Sequence, residues 1–202
     1  MSAHPAEKTG PTVAEEFLRA RELSLGGLFI ALGVVVPMIF HAVGGGGLGP
    51  VLLPMYLPVL VCAMLVSAPI AAAVGLLTPV LSSALTGMPP ILPTLPLMAA
   101  ELAVMGAIAS LLHRRLKLHT LPAVVLALLS GRVVMGLMAW LLVGALPPGL
   151  QEGLPEIMRM PLAYVGAASV TAIPGLILQI VVVPLVVTIV ERRSGAPSGS
   201  ET

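Results

Sequence analysis

Polar and apolar positions along this chain fall in blocks and show no fine alternation. Apolar runs of about 18 residues or more recur from end to end, which is the length a helix needs to cross a bilayer. The boundaries between runs are marked by glycine, proline or charge. Residues 1 to 23 are polar and predict a tail that becomes a short amphipathic helix around Val13 to Leu23. Apolar spans are then predicted at Leu25 to Val43, Val51 to Val66, Ile70 to Leu85, Leu92 to Leu112, Pro122 to Leu146 and Ala163 to Val190. The last is long enough to tilt or bend and contains Pro174 and Pro184. Pro54 and Pro58 fall in the first half of the second span, and Pro69 suits the start of the third.

The predicted architecture is an all-α integral membrane protein, a bundle of six transmembrane helices. Its divisions are a tail at 1–23, a six-helix domain at 24–191 and a disordered tail at 192–202. Composition agrees: 57% of the residues are hydrophobic and 9% charged, with mean hydropathy +1.06, whereas a soluble domain carries about 25% charge.

The placement of charge adds orientation. Lys8, Arg19 and Arg21 precede the first span, Arg114, Arg115 and Lys117 lie between the fourth and fifth, and Arg192 and Arg193 follow the sixth. In a six-span chain these regions share a side, and the positive-inside rule makes that side cytoplasmic, with both termini. The opposite side carries Arg159 alone, beside three irregular segments: the Gly44-to-Pro50 loop, the Thr86-to-Pro90 loop and the 149–162 loop. Cell-membrane localisation and a lipid environment follow. A net charge of +1 gives no reason to expect a nucleic-acid partner.

Two charges break the apolar blocks. Glu101 is about nine residues into the fourth span and Arg132 about ten into the fifth, from opposite faces, so both sit about 14–15 Å deep in an about 30 Å core. A charge there costs several kcal/mol unless it faces the protein interior, which makes the two residues each other's expected partners. Two readings stand side by side: an ion pair that pins the hairpin, and a contact for a polar ligand.

Further candidates have a bland and a functional reading each. His41 ends the first span as an interfacial residue or a ligand contact. Tyr56, Trp140 and Tyr164 suit an aromatic belt, or stacking on a flat ring. Gln179 needs a partner deep in the sixth span, either another helix or a ligand. Arg159 is solvated or attracts an anionic solute. Gly27 and Ala31 form a small-residue face that admits close helix approach. Lone Cys62 reads as a small buried hydrophobe. Catalytic signatures are missing: there is no Gly-x-Ser-x-Gly elbow and no His-Glu-x-x-His helix, and the glycines at 44–49 lack the Lys-Ser/Thr ending of a P-loop. No enzyme activity, metal or cofactor is expected.

The layout resembles the substrate-binding subunit, or S-component, of an energy-coupling factor (ECF) vitamin transporter. The likeness runs from about Glu22 to Arg193. Its motifs are Leu76-Leu77-Thr78-Pro79-Val80-Leu81-Ser82-Ser83-Ala84-Leu85-Thr86-Gly87-Met88-Pro89-Pro90, then Glu101-Leu102, Gly131-Arg132 and the first-helix small-residue pair. The resemblance implies capture of a water-soluble vitamin or precursor near the outer face. It also implies association with a membrane coupling subunit and two cytosolic ATPases, and release inside by toppling of the whole subunit. Gly27 and Ala31 stand where the family's Ala-x-x-x-Ala motif docks on the coupling subunit, with Gly in place of the first Ala. Gly44, Gly45, Gly46 and Gly47 stand where the family has a lid.

On this reading Glu101 and Arg132 fix the polar groups of the cargo, and the 86–93 segment, with Met88 and Pro90, supplies backbone contacts. The cargo itself stays open: the arginine favours a carboxylate such as pantothenate or nicotinate, the glutamate a hydroxylated or amine-bearing ring. A solitary ion-gradient carrier and a non-transport scaffold remain as alternatives.

Overall fold

Helix α1 (Val13–Gly44) begins in the polar segment and continues without a break through the first apolar run. The expected amphipathic helix at Val13 to Leu23 is therefore its first turns and not a separate element. Nothing between Leu23 and Leu25 breaks a helix, and extending an existing helix is far easier than nucleating a new one. The computed structural model describes residues 13–44, 47–151 and 154–194; Gly45, Gly46 and both tails lie outside them. All regular elements among the described residues are helical.

The second span departs from expectation. Instead of one helix over 51–66 there are two, α2 (Leu48–Leu52) and α3 (Tyr56–Leu65). The break is at Leu53, whose φ of 49° is left-handed. Pro54 follows, and a proline disfavours right-handed helix in the residue before it. α3 has 10 residues and so reaches about 15 Å, half of an about 30 Å core. Among the described residues five helices are long and apolar enough to cross a membrane, where six spans were expected.

The other long helices are α4 (Ala68–Thr86), α5 (Thr94–Ser110), α6 (Thr120–Ala145) and α9 (Ile173–Ser194). A π-helical turn, Leu111–Arg115, extends α5. α7 (Pro148–Gln151) and a 3-10 turn, Glu156–Arg159, precede α8 (Pro161–Thr171). The expected single span at 163–190 is thus also two helices, parted at Ala172, because Pro174 has no N–H to continue the ladder from α8.

Short α3 occupies the centre. Residues Val59 to Met64 are buried on all sides, as a helix apolar all round its circumference requires. It packs on α1, α4, α5 and α9. Around it, α5 packs closely between α4 and α6. At Gly75 a side chain would collide with the backbone of Leu102, and at Gly106 a Cβ would lie 2.7 Å from the Ala71 carbonyl. α4 ends at Gly87, whose φ of 73° is the left-handed C-cap that glycine adopts at no steric cost.

The basic end is laced together. Arg114 meets Glu22 at 2.6 Å, His113 meets Glu191 at 3.3 Å, and Ser67 donates to Glu22. These contacts join α1, α4, α5 and α9 just where the hairpin turns. At the opposite end, Gln151 Nε2 donates to the carbonyls of Val143 and Leu146, at 3.0 and 2.7 Å, tying the connector to the end of α6.

Gly106→Ala should destabilise the bundle by about 1–3 kcal/mol, because the new methyl meets backbone that cannot rotate away. Gly27→Ala, where a Cβ meets nothing within 4 Å, should be neutral or slightly stabilising. Unfolding both variants by SDS titration in mixed micelles checks the contrast.

Candidate functional site

Three elements deliver one polar group each to a single point. α5 carries Glu101, α6 carries Arg132, and the first residue of α3 is Tyr56. The Tyr56 hydroxyl donates to Glu101 Oε2 at 2.7 Å. Arg132 Nη1 reaches Glu101 Oε1 at 3.3 Å. Both carboxylate oxygens are thereby engaged. The guanidinium also lies over the Tyr56 ring, 5.9 Å from its centroid, and Nη1 contacts Met135 Sδ at 3.3 Å. Glu101 is 3% exposed and Arg132 12% in their side chains.

The local sequence explains the convergence. Gly131 lies against Glu101: a Cβ there would stand 3.1 Å from Glu101 Cγ. The missing side chain lets α6 come close enough for its neighbour Arg132 to reach the carboxylate. Tyr56 points inward because the chain turns at Leu53-Pro54 and restarts as α3 at the depth of Glu101. Gln179 steadies that turn from α9, donating from Nε2 to the Leu53 carbonyl at 3.2 Å. Gly175, one turn earlier on α9, leaves no room for a Cβ beside the Leu52 carbonyl, at 2.7 Å.

Above the ion pair is a cavity of about 820 Å³, with Glu101, Arg132, Tyr56 and Tyr164 in its walls. It extends to the end of the bundle formed by α2, the 88–90 segment and α8. Small-molecule pockets span about 300–1,000 Å³ and are mostly apolar with a few placed polar groups. This one fits both descriptions: methionines, prolines and leucines make up much of its wall. One polar atom of the ion pair is unmatched. Arg132 Nη2 is buried and has no hydrogen-bond partner among the described residues.

The sequence candidates separate into groups. Glu101, Arg132, Tyr56, Tyr164, Met88 and Pro90 all line the cavity. The carbonyls of the 88–90 segment already accept hydrogen bonds, however: Met88 from Ser82 at 2.7 Å, Pro89 from Ser83 at 2.7 Å, and Pro90 from the Leu95 amide at 3.0 Å. The segment is a braced rim.

Trp140 is 61% exposed on the outside of α6 and Gln179 is fully buried between helices, and neither is among the lining residues. Gln179 thus takes the inter-helix role that an amide in an apolar helix needs. His41 lies in the last turns of α1, and its side chain is outside the described set, as are Gly45 and Gly46 of the expected lid. Gly44 ends α1 and Gly47 leads into α2. Gly27 and Ala31 share an exposed face of α1, away from the face that Gly26 presents to Ile70 and Val74 on α4.

Thr94, Leu97, Met98 and Met135 also line the cavity and were not among the candidates. Helical spacing was the available signal. Thr94, Leu97 and Met98 lie seven, four and three residues before Glu101, and Met135 three after Arg132, so they share faces with the two charges. No group of three or more potential metal ligands converges among the described residues.

A helical bundle with spans of membrane length, a neutralised charge pair in its interior and a solute-sized cavity above that pair defines a multi-pass membrane protein of the binding or transport class. The model of the family described as ECF transporter, substrate-specific component, matches residues 21–187. The chain belongs to that family, whose members are the substrate-specific subunits of transporters and not enzymes. No curated protein and no solved structure matches the chain.

Arg132→Gln should cost about 3–5 kcal/mol of stability, because it strands a buried carboxylate. Adding Glu101→Gln to it should recover much of that loss, with a coupling of about 0.5–3 kcal/mol between the sites. A double-mutant cycle in mixed micelles measures the coupling; strict additivity would mean that the two charges do not interact.

Proposed function

We propose that the chain is the substrate-specificity subunit of an ECF-type transporter in the cell membrane. It binds a small water-soluble vitamin or vitamin precursor in the cavity above Glu101 and Arg132. The observation that carries this reading is the cavity: it has room for a vitamin-sized solute, and its polar groups stand at its floor.

The cavity opens to the outside. Arg114, Arg115 and Lys117 gather at the opposite end, with Arg19, Arg21 and Arg192 on the helices that converge there, and the positive-inside rule assigns such an end to the cytoplasm. Release inside then requires that the whole subunit reorient. The family resemblance supplies the mechanism, toppling against a membrane coupling subunit that two cytosolic ATPases drive. Gly27 and Ala31 support docking on that subunit, since their exposed small side chains permit close helix-to-helix contact. Gly44 to Gly47 take the place of the family's lid, and Glu101 with Arg132 fixes the polar groups of the solute.

Uptake of a radiolabelled vitamin by cells expressing the chain should require the ATPase module and should survive collapse of the proton gradient. The opposite pattern would identify a gradient-driven carrier. Gly27→Leu should leave solute binding by the purified protein unchanged and reduce uptake about tenfold or more, because a bulky residue holds the coupling subunit at a distance. An equal loss of binding and uptake would place Gly27 outside the docking face.

A further inference from the structure

The basic end of the bundle holds a second hollow, of about 420 Å³, which shares no lining residue with the cavity above Glu101. α3 stands between the two. Tyr56, its first residue, lines the upper one, and Met64, near its other end, lines the lower. The other walls of the lower hollow come from the connector between α5 and α6 and from the end of α9. They carry two permanent cations, Arg114 and Lys117, two histidines, His113 and His119, and one carboxylate, Glu191.

The positive-inside rule accounts for the side that these residues occupy, and not for their arrangement around a hollow. Two ion pairs brace the rim without exhausting it. Arg114 meets Glu22 through Nη1 at 2.6 Å, which leaves further N–H groups of a five-donor guanidinium. Glu191 is answered by His113 Nε2 at 3.3 Å. Lys117 and His119 make no hydrogen bond or ion pair among the described residues. The helix behind them adds backbone donors. α6 begins at Thr120, which lines the hollow, and has no side-chain cap. The Ala123 amide reaches the His119 carbonyl at 3.2 Å, and Pro122 has no N–H. The amides of Thr120 and Leu121 are thus left without an acceptor among the described residues, at the positive end of a 26-residue helix.

An excess of donors and positive charge around one hollow suits an anion with several acceptor oxygens. A cation would meet Arg114 and Lys117. A carboxylate brings two oxygens and a phosphate four, and phosphate is the anion that arginine, lysine and helix N-termini all recognise. Basic pockets between helices at the cytoplasmic face of membrane proteins take phosphate-bearing headgroups. We propose that this hollow is a phosphate-binding site, filled by the headgroup of an anionic phospholipid or by a soluble phosphate ester. Arg114 and Lys117 supply the charge, and His119 and the Thr120 amide supply further donors. Met64 and Leu118 give the site an apolar back wall. This site is independent of what the upper cavity holds.

The test uses the purified full-length protein in a neutral maltoside detergent and follows its melting temperature, since a ligand that binds only the folded state raises it. One arm adds dioleoylphosphatidylglycerol, with dioleoylphosphatidylcholine as its control. The other adds pyrophosphate, with sodium chloride at equal ionic strength as its control, because salt alone screens surface charge. Both arms are repeated on two variants that each lose one permanent charge. Lys117→Asn/His119→Gln removes donors from the hollow, and asparagine suits the left-handed φ of 55° at position 117. Arg115→Gln removes a cation of the same turn that does not line the hollow. Stabilisation by phosphatidylglycerol beyond phosphatidylcholine identifies a lipid headgroup, and stabilisation by pyrophosphate beyond chloride identifies a soluble phosphate. In either case the double variant should need at least about tenfold more ligand for the same shift, as loss of a hydrogen bond to a charged group implies, and Arg115→Gln should respond as the unmodified protein does. Equal weakening in both variants means a diffuse surface potential in place of a site and overturns the proposal. An unreduced response in the double variant overturns it too, as does a protein that neither phosphate stabilises.

Discussion

A carboxylate in the middle of a membrane protein is tolerable only if its charge is answered at close range, and much of this architecture serves that need. Glu101 is answered twice, by the Tyr56 hydroxyl at 2.7 Å and the Arg132 guanidinium at 3.3 Å. Each answer requires a backbone arrangement of its own. The guanidinium arrives because Gly131 lets α6 approach α5, and the hydroxyl because the chain breaks at Leu53 and α3 starts beside the carboxylate. The Gln179 bond to the Leu53 carbonyl and the tight fit of Gly175 against Leu52 hold that break in place. The polar site and the close packing of the helices are thus one design, in which small residues bring long polar ones together.

The same economy divides the molecule into a sealed half and an open half. Around the lower part of α3 the core is continuous, with Val59, Leu60, Cys62, Ala63 and Val66 fully enclosed. Above Tyr56 the packing loosens into the cavity. A second, smaller apolar cluster of Leu97, Met135, Ala139, Leu154 and Met158 closes one flank. The methionines suit a wall of this kind, because an unbranched thioether side chain conforms to an irregular surface at little cost.

Much of this was legible in the sequence. The facing of Glu101 and Arg132 followed from depth alone, since two charges on neighbouring antiparallel apolar spans have few other partners. The basic turn at 113–119 and the stops at Gly87 and Pro147 were equally plain, because charge, glycine and proline act locally. The break at Leu53 was not. The run from Val51 to Val66 is apolar throughout, and a hydropathy pattern carries no mark of where a proline bends the chain and where a helix absorbs it, as α1 absorbs Pro37. The sequence left two readings each for Trp140 and Gln179 for a related reason. Apart from single polar residues, α6 and α9 are apolar all round, so periodicity could not say which side met the interior. Thr94, Leu97 and Met98 were readable by counting back from Glu101 in helical steps.

The abbreviated length of α3 has a geometric corollary. A full-length helix at that position would fill its column of the bilayer from one surface to the other. By stopping about halfway, α3 vacates the remainder of the column, and the chamber inherits depth that no side-chain trimming on its neighbours would supply. The hollow is thus made by leaving backbone out, with Tyr56 as the capstone of the shortened column and the floor of the room above it.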